Sequence, residues 1–370
     1  MVFLSLRIEC VARTRLGIIA TRMRFDTTNG ARPMTTWMQR IGRLAAIALA
    51  SLGFAAQAGE ITAYTSLEED DVKVYLDAFA KAKPGIKVNV LRLSTGDLAA
   101  RMLAEKSNPR HDVIWGWAVT QMVDPRFLEM AEPYKPAGIE KVNAQFKDPD
   151  GRWFATTGYF AGFCVNTEVL KKNNLPMPTS WQDLLNPVYK GQIVMPNAAS
   201  SGTGYAQVVS LLQMKGEEKG WQYLKDLDKN IAQYIKSGSR PCKAAATGEY
   251  AIGVSFAFSG VKQIMEGYPI KLVIPSEGAG FETEVNALMK TAKNKDDAKQ
   301  FLDWLLTLDA AKLYGERSEM SSVPGAKAPD AVLKAGLPAD VSTVLYKMDF
   351  SASSKNKDRI IAEWKQKIER

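Results

Sequence analysis

The chain has 370 residues with 48 Lys and Arg against 40 Asp and Glu, a formal net charge of +8, and a single histidine. Eight of the bases and two of the acids fall within residues 1–58, so residues 59–370 carry 40 bases against 38 acids, and the basic surface that nucleic-acid binding needs is missing. No His/Cys cluster has zinc spacing, and one histidine speaks against a Ser-His-Asp enzyme.

Residues 1–33 hold six arginines and no periodic pattern. An n-region is normally short, so this stretch reads as an upstream extension, with Met34 or Met38 as the expected start. Residues 34–58, "MTTWMQRIGRLAAIALASLGFAAQA", read as a cleavable signal peptide. Arg40 and Arg43 precede an apolar run over 44–55, and Ala56-Gln57-Ala58 offers small residues at the cleavage point. The run is too short to cross a membrane. Export to the periplasm is expected, and with no cysteine just after the cleavage point a lipid anchor is not.

"GEITAYTS" (59–66) alternates as a strand does. "LEEDDVKVYLDAFAKAKPG" then puts Val72, Tyr75, Leu76 and Phe79 at helical spacing and stops at Pro84-Gly85. "IKVNVLRL" (86–93) is a strand, a second helix opens at Ser94 or Thr95, and "HDVIWGW" (111–117) is a third strand. Alternating strands and helices predict a parallel sheet with crossover helices. "TTGYFAGFCVNTEVL" (156–170) reads as a strand whose Asn166-Thr167 caps a helix. Residues 175–197 give a short helix and a strand, and two helical stretches follow with a break near Gly216. Strand, loop, short helix and strand fill "NIAQYIKSGSRPCKAAATGEYAIGVSF". Residues 270–290 are strand, Gly-rich loop and strand, and the remainder is mostly helical. A chain of this length divides into lobes around separate cores. The expected division is α/β, with residues 59–160 and 279–370 in lobe 1, residues 161–278 in lobe 2, and a cleft between them. Cys164 and Cys242 can pair in an oxidising compartment, but two buried free thiols are the default expectation.

Three loops share one design, in which small hydroxyl and glycine residues stand between a strand and a helix. They are Ser94-Thr95-Gly96, Ser200-Ser201-Gly202-Thr203-Gly204 and Ser237-Gly238-Ser239. A helix N-terminus has unpaired N–H groups and partial positive charge, which suits an anion. Glycine admits close backbone approach. Each loop alone also fits plain N-capping; five consecutive small residues at 200–204 point to ligand contact. Ser66, at the end of the first strand, is a further candidate. "SSGTGYA" lacks the lysine of a nucleotide-hydrolysing P-loop, and no G-x-G-x-x-G follows a strand.

Glu68 to Asp71 read as a solvated first helical turn, with Glu68 facing the cleft. Glu282 and Glu284 lie where a carboxylate can meet a ligand cation. Of Trp115 and Trp117, one is expected in the core and the other, assigned to Trp115, on the cleft wall. His111 is expected on the surface at a strand entry.

"STGDLAARMLAEKSNPRHDVIWG" (94–116), "LPMPTSWQDLLNPVYKGQIVMPNAASSGTGY" (175–205), "GEEKGWQYLKDLDKNIAQYIKSGSRPCKAAATGEYAIGVSF" (216–256) and "PIKLVIPSEGAGFETEVNAL" (269–288) resemble the 2-aminoethylphosphonate-binding proteins of phosphonate ABC importers, within the wider group that includes ferric-iron-binding proteins. The resemblance covers nearly all of residues 59–370, and "SSGTGY" and "SGSRPCK" are its specific part. It implies a type II periplasmic-binding-protein fold with a hinged cleft, a phosphonate held by Thr95, Ser201, Gly202, Thr203 and Ser239, and an acidic or aromatic environment for the ligand amine. It implies an ABC permease as partner, a monomer, no cofactor and no nucleic acid. The ferric relatives use adjacent tyrosines and a histidine in the first strand; here no Tyr-Tyr pair exists and His111 lies elsewhere, which argues against iron. The competing readings are a protein of the same fold for phosphate, sulfate, a polyamine or ferric iron, and a secreted phosphatase.

Overall fold

The computed structural model describes residues 59–369; the upstream extension and the signal peptide expected within residues 1–58 lie outside them. β1 (Gly59–Thr65) pairs in parallel with β2 (Ile86–Arg92) on one side and β3 (Val113–Ala118) on the other. The crossovers are α1 (Glu69–Ala82) and α2 (Thr95–Ala104). Parallel neighbours need such crossovers because the chain must return to the edge where it started. α1 buries Val72, Tyr75 and Phe79 along one stripe. Asp71 is buried as well, with 7 % exposure, so the acidic run is not wholly solvated as expected. Its carboxylate receives Lys262 at 2.7 Å and Arg317 at 3.0 Å, and these partners make burial tolerable.

After the two-residue β4 (Ala131–Glu132), β5 (Phe154–Asn166) is a 13-residue strand that changes partners midway. Residues 154–160 pair antiparallel with β10 (Phe281–Met289), and β11 (Met320–Ser321) joins at Gly158 and Thr157. Residues 161–166 pair with β8 (Ile252–Phe256) and β9 (Ile270–Val273). β6 (Ile193–Pro196) lies parallel to both β7 (Ile231–Ile235) and β8. The strand order is β2-β1-β3-β10-β5-β8-β6-β7. β10 reverses direction relative to β3, so the sheet is mixed.

Helices α3 (Gly202–Lys215) and α4 (Glu217–Asp228) break at Gly216, whose φ of 78° suits glycine. α5 (Arg240–Ala246) and α6 (Ala257–Met265) cover the second half of the sheet; α7 (Lys295–Trp304) and α8 (Leu308–Arg317) cover the first. One core gathers Phe79, Trp115 and Phe301, and another gathers Phe163, Trp181 and Val254. The sequence expectation placed residues 279–370 in lobe 1. The terminal helix α9 (Lys357–Lys367) nonetheless sends Ile360 and Trp364 into the second core, with Trp364 set edge-on to Tyr234 at 5.3 Å.

Two expectations are corrected by tertiary packing. Cys164 on β5 and Cys242 on α5 form a disulfide rather than two free thiols, their Cα atoms lying 5.2 Å apart. His111 is 2 % exposed rather than on the surface, its ring stacked on Tyr64 at 4.4 Å. The neighbouring Asp112 draws this turn inward by accepting Thr62 N–H and Lys293 N–H, each at 2.7 Å. Burial lowers the His111 pKa to about 4, and neither ring nitrogen has a hydrogen-bond partner among the described residues.

Candidate functional site: an inter-sheet cleft

The N-termini of α2 and α3 converge, one following a strand of each half of the sheet. Gly96 N–H donates to Ser200 O at 2.8 Å and ties the two loops together. Ser94 offers α2 no side-chain cap, and the first turn of α3 is capped by Ser201 Oγ, which accepts Gly204 N–H at 3.3 Å. With that oxygen lone pair engaged, the Ser201 hydroxyl proton remains available to donate. The approach is close: a Cβ on Gly202 would stand 2.6 Å from Thr95 Oγ1 and 2.7 Å from the Tyr159 hydroxyl, and one on Gly238 would stand 2.4 Å from Thr203 Oγ1. Tyr159 and Thr203 line the same cleft. Four hydroxyls and two helix N-termini therefore face one spot, a neutral donor set suited to an oxyanion.

The rest of the cleft is lined by Ser66, Tyr75, Arg92, Phe256, Arg317 and four acids: Glu68, Asp71, Glu284 and Glu319. Its arginines are engaged by α1 and its N-terminal flank. Arg92 reaches Leu67 O at 2.9 Å and Glu68 at 3.4 Å, while Arg317 reaches Asp71. Glu284 instead accepts Thr157 Oγ1–H at 2.6 Å, and Glu319 accepts Phe258 N–H at 3.3 Å. Neither has a Lys or Arg within ion-pair distance among the described residues. Burial raises Glu284 to about 7, with Asp71, Glu68 and Glu282 adding to the effect. Burial raises Glu319 to about 8, with Glu284 adding. The cleft volume of about 60 Å³ is room for about four to six waters at roughly 10–15 Å³ each. Its lining holds no histidine or cysteine, and among the described residues no group of three His, Cys, Asp or Glu side chains is placed to hold a metal ion.

Of the residues singled out from sequence, Ser66, Glu68, Ser94, Thr95, Ser201, Gly202, Thr203, Gly238 and Glu284 meet at this cleft. Six others stand behind it or away from it. Ser200 is spent on Lys236 O at 3.2 Å. Ser237 pairs with Ser239, and Ser239 donates to Glu68 at 2.9 Å, so both hydroxyls act on the wall rather than form it. Trp115 is 1 % exposed and edge-on to Phe301 at 5.3 Å; Trp117 is also fully buried, so neither lines the cleft. Glu282, two residues before Glu284 on β10, does not line the cleft. It accepts Thr120 Oγ1–H at 2.5 Å, and Lys357 is its buried countercharge. Burial raises the Glu282 pKa and lowers that of Lys357. Tyr75, Arg92, Thr157, Tyr159, Arg317 and Glu319 were missed. Arg92 sits at the carboxyl end of a strand, where ligands of open α/β sheets bind; the others had no local signal.

A family model described as bacterial extracellular solute-binding protein matches residues 112–344. An uncharacterized Haemophilus influenzae protein is 30% identical over 334 residues, covering 88% of this chain and 95% of its own. A Salmonella paratyphi A protein, named as a candidate 2-aminoethylphosphonate-binding periplasmic protein, is 24% identical over 294 residues, covering 75% of this chain and 84% of its own. The periplasmic binding protein AfuA from Actinobacillus pleuropneumoniae, solved with fructose-6-phosphate bound, superposes with a TM-score of 0.77 at 29% identity, covering 84% of this chain and 98% of that one.

Proposed function

This chain belongs to the bacterial extracellular solute-binding proteins and has the periplasmic-binding-protein fold, and on that premise we propose that it captures 2-aminoethylphosphonate, or a related phosphonate, in the periplasm and hands it to the permease of an ABC importer. The observation that carries the reading is the convergence of the α2 and α3 N-termini on the hydroxyls of Thr95, Ser201 and Thr203, with Glu284 and Glu319 on the wall of the same cleft. The donors suit the phosphonate oxygens, and the acids suit an ammonium tail. Hydrogen bonds to a charged group contribute about 1.5–3 kcal/mol each. Five of them contribute about 7.5–15 kcal/mol, a range that spans the roughly 8 kcal/mol of a micromolar complex together with the ordering of ligand and lobes.

A second reading is a sugar phosphate, motivated by the AfuA structure with fructose-6-phosphate. The same donors suit a phosphate ester, and carboxylates accept hydrogen bonds from sugar hydroxyls. Titration calorimetry with 2-aminoethylphosphonate, ethylphosphonate, phosphate, fructose 6-phosphate and putrescine separates the two. Tightest binding of the aminophosphonate supports the first reading, tightest binding of the sugar phosphate the second, and no binding of any phosphorus compound refutes both.

A further inference from the structure

The cations that line the cleft are Arg92 and Arg317. Lys262 stands outside the lining, held by Asp70 at 3.0 Å and Asp71 at 2.7 Å. The two arginines are engaged to different degrees. Arg92 donates through Nε to Leu67 O at 2.9 Å and through Nη2 to Glu68 at 3.4 Å. Arg317 donates through Nε alone, to Asp71 Oδ1 at 3.0 Å, and its two terminal amino groups have no hydrogen-bond partner among the described residues. Glu284 and Glu319 line the same cleft, yet neither is within ion-pair distance of Arg317. Glu284 accepts Thr157 Oγ1–H and Glu319 accepts Phe258 N–H instead. Arg317 is also fixed at both ends. It is the last residue of α8, and the next residue, Ser318, donates its N–H to Tyr314 O at 2.9 Å and its hydroxyl to Gly158 O on β5 at 3.1 Å. At the far end Asp71 Oδ1 holds the Nε, while Asp71 Oδ2 takes Lys262 of α6 from across the cleft. A guanidinium is planar, so pinning Nε sets the plane of the two free amino groups. They form a fork that matches two oxygens of one phosphonate, phosphate or carboxylate. With 27% of the side chain exposed, the fork is open to a ligand.

We infer that Arg317 is the charged ligand contact of the cleft, and that it selects a doubly charged phosphonate or phosphate head over a singly charged sulfonate of the same shape. This rests on the phosphonate reading above. The hydroxyls of Thr95, Ser201 and Thr203 and the two helix N-termini are dipoles, and they serve any oxyanion head. A full positive charge behaves differently, because its attraction grows in proportion to the charge it faces. The carboxylates of the lining oppose the second negative charge of the head, so the preference depends on Arg317 and shrinks when its charge is removed. Arg92 is the poorer candidate, since Glu68 already takes one of its two terminal amino groups.

The test is titration calorimetry at about pH 8 with 2-aminoethylphosphonate and its sulfonate counterpart, 2-aminoethylsulfonate, on the native protein and on Arg317→Gln. At that pH the phosphonate is largely doubly charged and the sulfonate singly charged. Any general effect of the substitution on stability or lobe closure enters both affinities alike, so their ratio isolates the contact with the head. Native protein is expected to bind the phosphonate at least tenfold more tightly than the sulfonate, and that ratio is expected to fall at least fivefold in the variant. Equal affinities in native protein, or an unchanged ratio in a folded variant, overturn the role of Arg317 while the hydroxyl cradle and the phosphonate reading stand. No binding of 2-aminoethylphosphonate by native protein overturns the inference together with the reading beneath it. If Arg317→Gln does not fold, a crystal structure of the native protein with 2-aminoethylphosphonate decides the matter. A phosphonate oxygen within about 3.2 Å of Arg317 Nη1 or Nη2 is expected; a phosphonate held by other groups alone overturns the assignment.

Discussion

Gly202→Ala isolates the anion cradle from the fold. Gly202 opens α3 with an ordinary backbone, so alanine meets no conformational penalty there and has the higher helix propensity, by about 1 kcal/mol in a helix interior. Its methyl would stand 2.6 Å from Thr95 Oγ1 and 2.7 Å from the Tyr159 hydroxyl, closer than real Cβ atoms come, so both hydroxyls must swing away. Overpacking of this kind costs roughly 1–3 kcal/mol, partly offset by the propensity gain, so the melting midpoint moves by only a few degrees. Binding suffers more. Losing one charge-assisted hydrogen bond from Thr95 costs about 1.5–3 kcal/mol, which at 1.4 kcal/mol per decade raises Kd by about 10- to 150-fold. Calorimetry with the tightest phosphorus ligand of the native protein reads Kd, and scanning calorimetry reads the midpoint. A Kd within twofold of native, with the fold intact, would falsify the assignment of this loop as the anion site.

Lys262→Ala removes the cation that joins α6 to Asp70 and Asp71 of α1 across the cleft, at a site where Lys262 is 17% exposed. An exposed pair is worth about 0.2–1 kcal/mol and breaking a buried one costs about 3–5 kcal/mol; for this half-buried link, with Arg317 still on Asp71, the loss is put between them at about 1–2 kcal/mol. The ligand-free protein should expand in X-ray scattering and Kd should rise about 5- to 30-fold, and unchanged scattering and Kd refute the role. Replacing Cys164 and Cys242 by serine opens a loop with a sequence separation of 78 residues. The chain-entropy relation puts the loss at about 4.5 kcal/mol, read by denaturant unfolding; a loss below about 1 kcal/mol contradicts it. His111 has a folded pKa of about 4, below its unfolded 6.5. Its contribution is fully present above pH 6.5 and falls by about 3 kcal/mol on acidification to pH 4, because the unfolded chain takes the proton first. His111→Gln should flatten that part of the unfolding profile, and an unchanged slope excludes His111 as its source.

The alternation of short strands with amphipathic helices, the stops at Pro84-Gly85 and Gly216, and the Asn166 cap are local properties, and each appears in the structure where the pattern puts it. The small-residue loops were legible for the same reason, since a helix start needs donors and close approach, and both are written in consecutive residues. What the sequence could not decide is where side chains from distant elements meet. Glu282 and Glu284 look alike in sequence and would share a face of a regular strand, yet the tertiary packing gives one Lys357 and Thr120 as partners and the other a place in the cleft lining. Trp115 reads as pocket wall until Phe301, nearly two hundred residues later, packs against it. Asp71 looks solvated until α6 and α8 bring Lys262 and Arg317 to it, and the two cysteines become partners only when α5 lies on β5. Local backbone geometry is set by neighbours in the chain and can be read there. Charge pairing and burial are set by neighbours in space, which the pairing of β5 with both halves of the sheet alone supplies.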